Sequence, residues 1–262
     1  MSIQDEISRI AVENYSTSDP WPDDDVWHAH TYLSEKKIIE GWLSAVAKQE
    51  MIILNAGSGG TEYETLGTII HLDIIESYIK MHDNYIVGSV ENTGLPDASV
   101  DGIICVGSVL NYADAQRTLC EFSRVLKPNG FFIIEFERSN SAEFLATRNH
   151  GKTLFSKNYY YNGQTHKLWL YNEQHIRQML KFYNLKVYQH KRIHTLSSLL
   201  NRFGLSEEKA AHFSCFDGML HMLSYPFAHN VLLLGLKSSR LNDISEITPG
   251  IIVKREHSTV NI

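Results

Sequence analysis

Apolar and polar positions change period several times along the chain, and those changes predict its elements. Tyr32, Leu33, Ile38, Ile39, Trp42, Leu43 and Val46 recur at helical spacing behind the run Asp23-Asp24-Asp25, whose carboxylates suit a helix start. Short apolar runs at 51–54, 68–72, 85–88, 100–106 and 131–136 then alternate with helical patterns. One helical pattern is Ile74, Ile75, Tyr78 and Ile79; a longer one is Leu119, Phe122, Val125 and Leu126, stopped at Lys127-Pro128-Asn129-Gly130. A helix over 173–182 and strands at 185–188 and 230–236 follow. Strands alternating with helices predict an α/β fold with a doubly wound, mostly parallel sheet of seven strands. The short stretch from Gly57 to Asp73 leaves room for only a turn or two of helix. Residues 138–168 read as an irregular insertion and 195–226 as a second, partly helical one. The organisation expected is N-terminal lid helices over 1–49, a core over 50–237 carrying both insertions, and a tail over 238–262.

Bulk properties narrow the function classes. The chain has 262 residues and a net charge of -6, with no Lys/Arg block of the kind that marks nucleic-acid binders, so no nucleic-acid partner is expected. No apolar run approaches the roughly 20 residues that span a bilayer, and the N-terminus reads as no signal peptide. Three widely spaced cysteines (Cys105, Cys120, Cys215) fit free thiols in a reducing compartment, which points to the cytoplasm.

The chemistry centres on MIILNAGSGG, residues 51–60: a buried strand running into three glycines within four positions. Such a turn accepts positive φ and lets a ligand lie directly on peptide groups. The next strand ends in Asp73, placed to hold ribose hydroxyls. No lysine follows Gly60, so the phosphate-cradling P-loop fails, and Glu62 stands where a dinucleotide fingerprint needs its third glycine. An acidic, glycine-lined site suits a nucleoside without phosphates. Gly57, Asp73, Ser89 and Gly107 all fall at carboxyl ends of predicted strands, where ligands bind in open α/β sheets.

Four blocks in register resemble the class I S-adenosylmethionine-dependent methyltransferases, the small-molecule type that includes the ubiquinone-biosynthesis enzymes. They are NAGSGG (55–60), HLDI (71–74), GSVENTGLPDASVDGIICVGSVLNYAD (88–114) and SRVLKPNGFFIIEFE (123–137). The resemblance implies S-adenosyl-L-methionine as cofactor, with Gly57, Ser58 and Gly59 facing its methionine part and Asp73 its ribose. It further implies Ile74 against the adenine face, Ser89 and Val90 at the adenine edge, and Val106, Gly107 and Ser108 beneath the cofactor. Tyr112 borders the substrate side in this reading; Tyr15 and the region 21–31 read equally as packing against the sheet and as a lid over a cofactor. Asn55 and Ser89 stand where the family usually has acids. The implied reaction is in-line methyl transfer to an O, N or C nucleophile of a small molecule.

A general base is needed only for a nucleophile that carries a proton. Histidines of the lid segments are the candidates, His28 and His166 first, with His30, His194 and His221 behind them. His212, Cys215, Asp217 and His221 match no zinc spacing, so no metal is expected. Tyr159-Tyr160-Tyr161 reads equally as a stacking surface and as lid packing. Two other functions fit the same residues: a methyltransferase-like binding or regulatory protein without turnover, and a methyltransferase acting on protein or RNA.

Overall fold

The apolar runs assemble into one sheet because the central ones are apolar on both faces and need a helix layer on either side. The computed structural model describes residues 2–18, 26–161, 163–194, 198–200, 203–205, 209, 213 and 227–239. In chain order these form α1 (Ile3–Tyr15), α2 (Val26–Val46), β1 (Ile52–Ala56), β2 (Thr68–Asp73), α3 (Glu76–Ile79), β3 (Tyr85–Val87) and β4 (Val100–Cys105). They continue with α4 (Val109–Tyr112), α5 (Ala115–Val125), β5 (Leu126–Glu137), β6 (Leu154–Tyr161), β7 (Gln164–Tyr171), α6 (Glu173–Phe182), β8 (Leu185–Ile193) and β9 (Asn230–Lys237). The seven-stranded sheet has the order β3-β2-β1-β4-β5-β9-β8. Only β9 runs against its neighbours β5 and β8. Strand order reverses between β1 and β4, so the crevice over their carboxyl ends is the switch point.

Two cores flank the sheet. On one face Ile39, Trp42 and Leu43 of α2 pack on Ile53, Ile104, Ile133 and Leu232. On the other, Leu119, Phe122 and Val125 of α5, with Ile176 and Leu180 of α6, pack on Leu54, Ile103 and Leu233. Each fully buried side chain of this size contributes about 1.5–3 kcal/mol. The α5 start is fixed by Asp114, whose side chain accepts from the Gln116 and Arg117 N–H groups.

Two expectations need correction. No helix joins the glycine turn to β2; residues 61–67 run without one. The connection is too short, and α2 already covers that face, where Tyr63 joins its core. The segment read as irregular holds the antiparallel hairpin β6–β7, paired from Leu154↔Tyr171 to Tyr161↔Gln164. Helix α1 lies on β7, pinned by a bond from Trp169 Nε1 to Gln4 Oε1 (2.7 Å) and an ion pair between Lys167 and Glu6 (2.6 Å). The stretch Trp21–Asp25, the His28 side chain, His212, Cys215, Asp217, His221, most of 195–226 and the tail beyond 239 lie outside the described residues. Among the described residues no helix is long and apolar enough to cross a membrane, and no metal-ligand cluster is present.

Candidate functional site

A cavity of about 420 Å³ opens at the switch point, within the range of small-molecule sites. Its floor is the glycine turn. Gly57, Gly59 and Gly60 take φ of 72°, 52° and 77°, so the chain reverses sharply after β1. The Gly57 and Ser58 N–H groups bond back to Leu72 O (2.8 and 3.0 Å), tying the turn to β2. Asp73, buried at the β2 tip, accepts from Gly59 N–H through Oδ2 (2.8 Å) and from Ile75 N–H through Oδ1 (2.9 Å). Burial raises the Asp73 pKa, and the backbone donors of Gly59, Ile75 and Ile74 oppose that rise.

Asn55 has a local explanation. Its Nδ2 donates to Ser58 Oγ (3.2 Å) and Thr61 O (2.9 Å), holding the turn shut from inside. Ser58 Oγ lies 2.6 Å from Nδ1 of His71, whose ring stacks on His82 with centroids 3.7 Å apart. Burial first, then the His82 ring, pushes the His71 pKa down to about 4. His71 is therefore neutral, and Ser58 can donate to it. Because the folded pKa lies below the ordinary value of about 6.5, the unfolded chain binds the extra proton between those pH values. Stability from this site is full above pH 6.5 and is lost as pH falls towards 4, by roughly 2–3 kcal/mol. Urea unfolding across that window should show the loss, and His71→Gln should flatten it; an unchanged slope in the variant would place the titration elsewhere.

The second wall is the turn after β4. Gly107 and Ser108 have φ of 73° and 58°, turning the backbone under the cavity into α4. Ser108 N–H donates to Glu135 (2.7 Å) and Ser108 Oγ to Glu137 (3.0 Å). Burial, then Glu135, raises the Glu35 pKa beneath this turn, and burial also raises that of Glu135. Val106, Ile74, Ser89, Val90 and Glu91 complete the deep part of the cavity. Glu91 accepts from Asp114 N–H (2.9 Å), and Ser89 Oγ accepts from Glu91 N–H (3.1 Å).

The roof comes from α1. Tyr15 lines the cavity, its hydroxyl donating to Tyr112 at 3.2 Å, and the Tyr78 hydroxyl donates to the Tyr15 and Ser18 carbonyls. The Tyr112 hydroxyl lies 3.1 Å from His166 Nδ1. His166 is buried behind Tyr112 and is not among the residues lining the cavity. It orients that tyrosine instead of facing a ligand. Tyr159 and Tyr160, flagged in the sequence, line the cavity together with Glu137, Glu143, Leu168, His229 and Asn230, which sequence reasoning missed. Glu137 ends a strand, so the carboxyl-end rule that found Asp73 could have flagged it; His229 precedes β9 and reaches this edge only because that strand runs antiparallel to β5.

A nucleoside fits these walls. The glycine turn lines the cavity, a carboxylate stands at the next strand tip, and no Lys or Arg lines the cavity among the described residues. Sheet order and glycine turn thus define a doubly wound α/β protein of the Rossmann-like methyltransferase fold. Residues 54–134 match the methyltransferase-domain family. Comparison with functionally curated proteins found no match. Among solved structures, the chain is similar to 1,6-didemethyltoxoflavin-N1-methyltransferase of Burkholderia thailandensis (TM-score 0.56, 14% identity, 91% of this chain and 92% of that one). It is also similar to the methyltransferase-like partner of the Trm112 activator in Haloferax volcanii (TM-score 0.58, 17% identity, 92% and 100%). A third similar structure is the [4+2]-cyclase SpnF (TM-score 0.51, 13% identity, 77% and 80%). Residues 54–134 thus carry a match to a methyltransferase domain, and the chain around them has the fold of these methyltransferase structures.

Proposed function

We propose that the protein methylates a small molecule, with the cofactor lying across the glycine turn and the acceptor entering beneath α1 and the β6–β7 hairpin. The carrying observation is the roofed cavity itself. Tyr15 and Tyr112 close it above the switch point, which leaves space for a small acceptor and little for a folded macromolecule. In this reading the peptide groups of Gly57, Ser58 and Gly59 hold the methionine part and Asp73 the ribose. Ile74 covers the adenine face, Ser89 and Val90 meet its edge, and Val106, Gly107 and Ser108 pass beneath. Helix α1 and residues 138–168 act as lids on a core over 50–237, while α2 packs on the sheet face. We place the protein in the cytoplasm, a reading supported by Cys105 and Cys120, which are free thiols.

The cofactor supplies a methyl group already activated by its sulfonium. The chain then has to align the acceptor with that methyl and exclude water. Rigid strand tips do the first, and the tyrosine roof does the second. The neighbour from Burkholderia thailandensis was solved with 1,6-didemethyltoxoflavin and S-adenosylhomocysteine bound, a small-molecule precedent on this fold. The fold alone does not choose an acceptor.

The test supplies methyl-labelled S-adenosylmethionine to the protein in a cell extract separated into small-molecule, RNA and protein fractions. Label should accumulate in the small-molecule fraction. Label in RNA or protein would replace this reading with a macromolecular acceptor. Calorimetric binding of S-adenosylmethionine without label in any fraction would indicate a binding protein that lacks turnover.

A further inference from the structure

We propose that Glu137 takes the proton of the methyl acceptor, and that the acceptor nucleophile is an amine nitrogen. The inference rests on the cofactor reading above and names the substrate class of the same site. Two carboxylates, Glu137 and Glu143, line the far end of the cavity beside Tyr159, Tyr160 and Leu168. Glu143 is matched by an ion pair with Lys157 and accepts from the Tyr159 hydroxyl (3.2 Å). Glu137 is held at the Ser108 turn, where it accepts from Ser108 Oγ (3.0 Å).

His229 is built as a clamp. Its Nε2 lies 3.2 Å from Glu137 Oε2, and its Nδ1 lies 3.2 Å from Ser141 Oγ and 3.6 Å from Glu143 Oε2. Burial works against charge on this ring, but Glu137, with Glu143 behind it, outweighs burial and raises the pKa. The Nε2 contact therefore holds the Glu137 side chain in place at the cavity wall. The backbone around the ring is fixed as well: buried Arg138 donates to Ala228 O (2.9 Å) and pairs with Glu173 (3.0 Å). His229 is a positioning residue, and Glu137 is the group that meets the acceptor.

An acidic acceptor would meet the Glu137 carboxylate, and no Lys or Arg lines the cavity among the described residues. An amine instead gains a charge-assisted hydrogen bond, about twice as strong as the neutral bond an alcohol would make. The step balances. The ammonium form R–NH3+ gives one proton to the Glu137 carboxylate, and the freed nitrogen pair forms the N–C bond to the methyl. The C–S electron pair goes to sulfur, leaving S-adenosylhomocysteine, R–NH2–CH3+ and protonated Glu137.

Phenethylamine, 2-phenylethanol and phenylacetate share a ring and differ only in the polar head. They should be titrated by ligand-detected NMR into protein saturated with S-adenosylhomocysteine. Phenethylamine should bind at least about tenfold tighter than the other two. Glu137→Gln should remove that preference and lower methyl transfer to phenethylamine by about a hundredfold or more, with S-adenosylhomocysteine affinity within about twofold of wild type. Glu137→Asp keeps the charge and should keep the preference. The proposal is overturned if the acid or alcohol binds as well as the amine, if no probe binds, or if Glu137→Gln keeps the preference. Loss of S-adenosylhomocysteine binding by the intact protein would overturn the cofactor placement instead.

Discussion

Asp73→Ala is expected to weaken S-adenosylmethionine binding by at least about a hundredfold. Two losses combine. In the proposed placement the ribose loses its charged acceptor, and each hydrogen bond to a charged group is worth about 1.5–3 kcal/mol. The glycine turn also loses the bond from Gly59 N–H and the α3 entry loses that from Ile75 N–H, so the tips of β1 and β2 come apart. Asp73→Asn separates the two effects. The amide keeps one acceptor oxygen and the side-chain shape but not the charge, so its affinity should fall only about tenfold. Calorimetric titration of both variants measures this directly. Binding by Asp73→Ala close to wild type would remove the ribose from Asp73, and equal losses in both variants would make charge the whole effect.

Much of this fold was legible because parallel strands announce themselves as apolar runs between turn residues. All seven strands of the sheet lie where those runs predicted them, and Trp42 packs on the sheet as expected. The hairpin β6–β7 was not read, although Asn162-Gly163 between Tyr161 and Gln164 is a strong two-residue turn signal. The tyrosine run drew attention to stacking and hid the alternation: on β7, His166, Leu168 and Leu170 are buried while the residues between them are partly exposed. The missing helix after the glycine turn has a different cause. Local pattern cannot show that α2, from earlier in the chain, already covers that face.

The candidate site divides in the same way. Gly57, Ser58, Gly59, Asp73, Ile74, Ser89, Val90, Val106, Gly107, Ser108, Tyr15 and Tyr112 all line one cavity. Gly57, Asp73, Ser89 and Gly107 were found because they fall at strand tips, and the other residues of the first ten came from the family resemblance. Glu137 and His229 were missed because their proximity depends on β9 pairing antiparallel with β5, which brings residues far apart in sequence to the same sheet edge. His166 looked like a base from sequence alone. In the structure its ring sits behind the Tyr112 hydroxyl, so its effect on a ligand passes through that tyrosine.

Gly57→Ala carries the second large expected effect, on folding as well as on binding. A Cβ built at this position would lie 2.4 Å from Val109 Cγ2 and 2.6 Å from Val109 Cγ1, inside van der Waals contact. The residue also has φ of 72°, a conformation that costs an L-residue about 1–2 kcal/mol. Overpacking adds about 1–3 kcal/mol, so a total loss of roughly 2–5 kcal/mol is expected in urea unfolding. Val109 opens α4 directly after the Gly107-Ser108 turn, so a push from Gly57 moves both walls of the cavity together. The two costs can be separated by a double-mutant cycle. Val109→Ala in the Gly57→Ala background should restore the packing part, about 1–3 kcal/mol, and leave the backbone part in place. A cycle with no coupling between 57 and 109 would show that the turn relaxes away from α4, and that the glycine is required by its backbone angle alone.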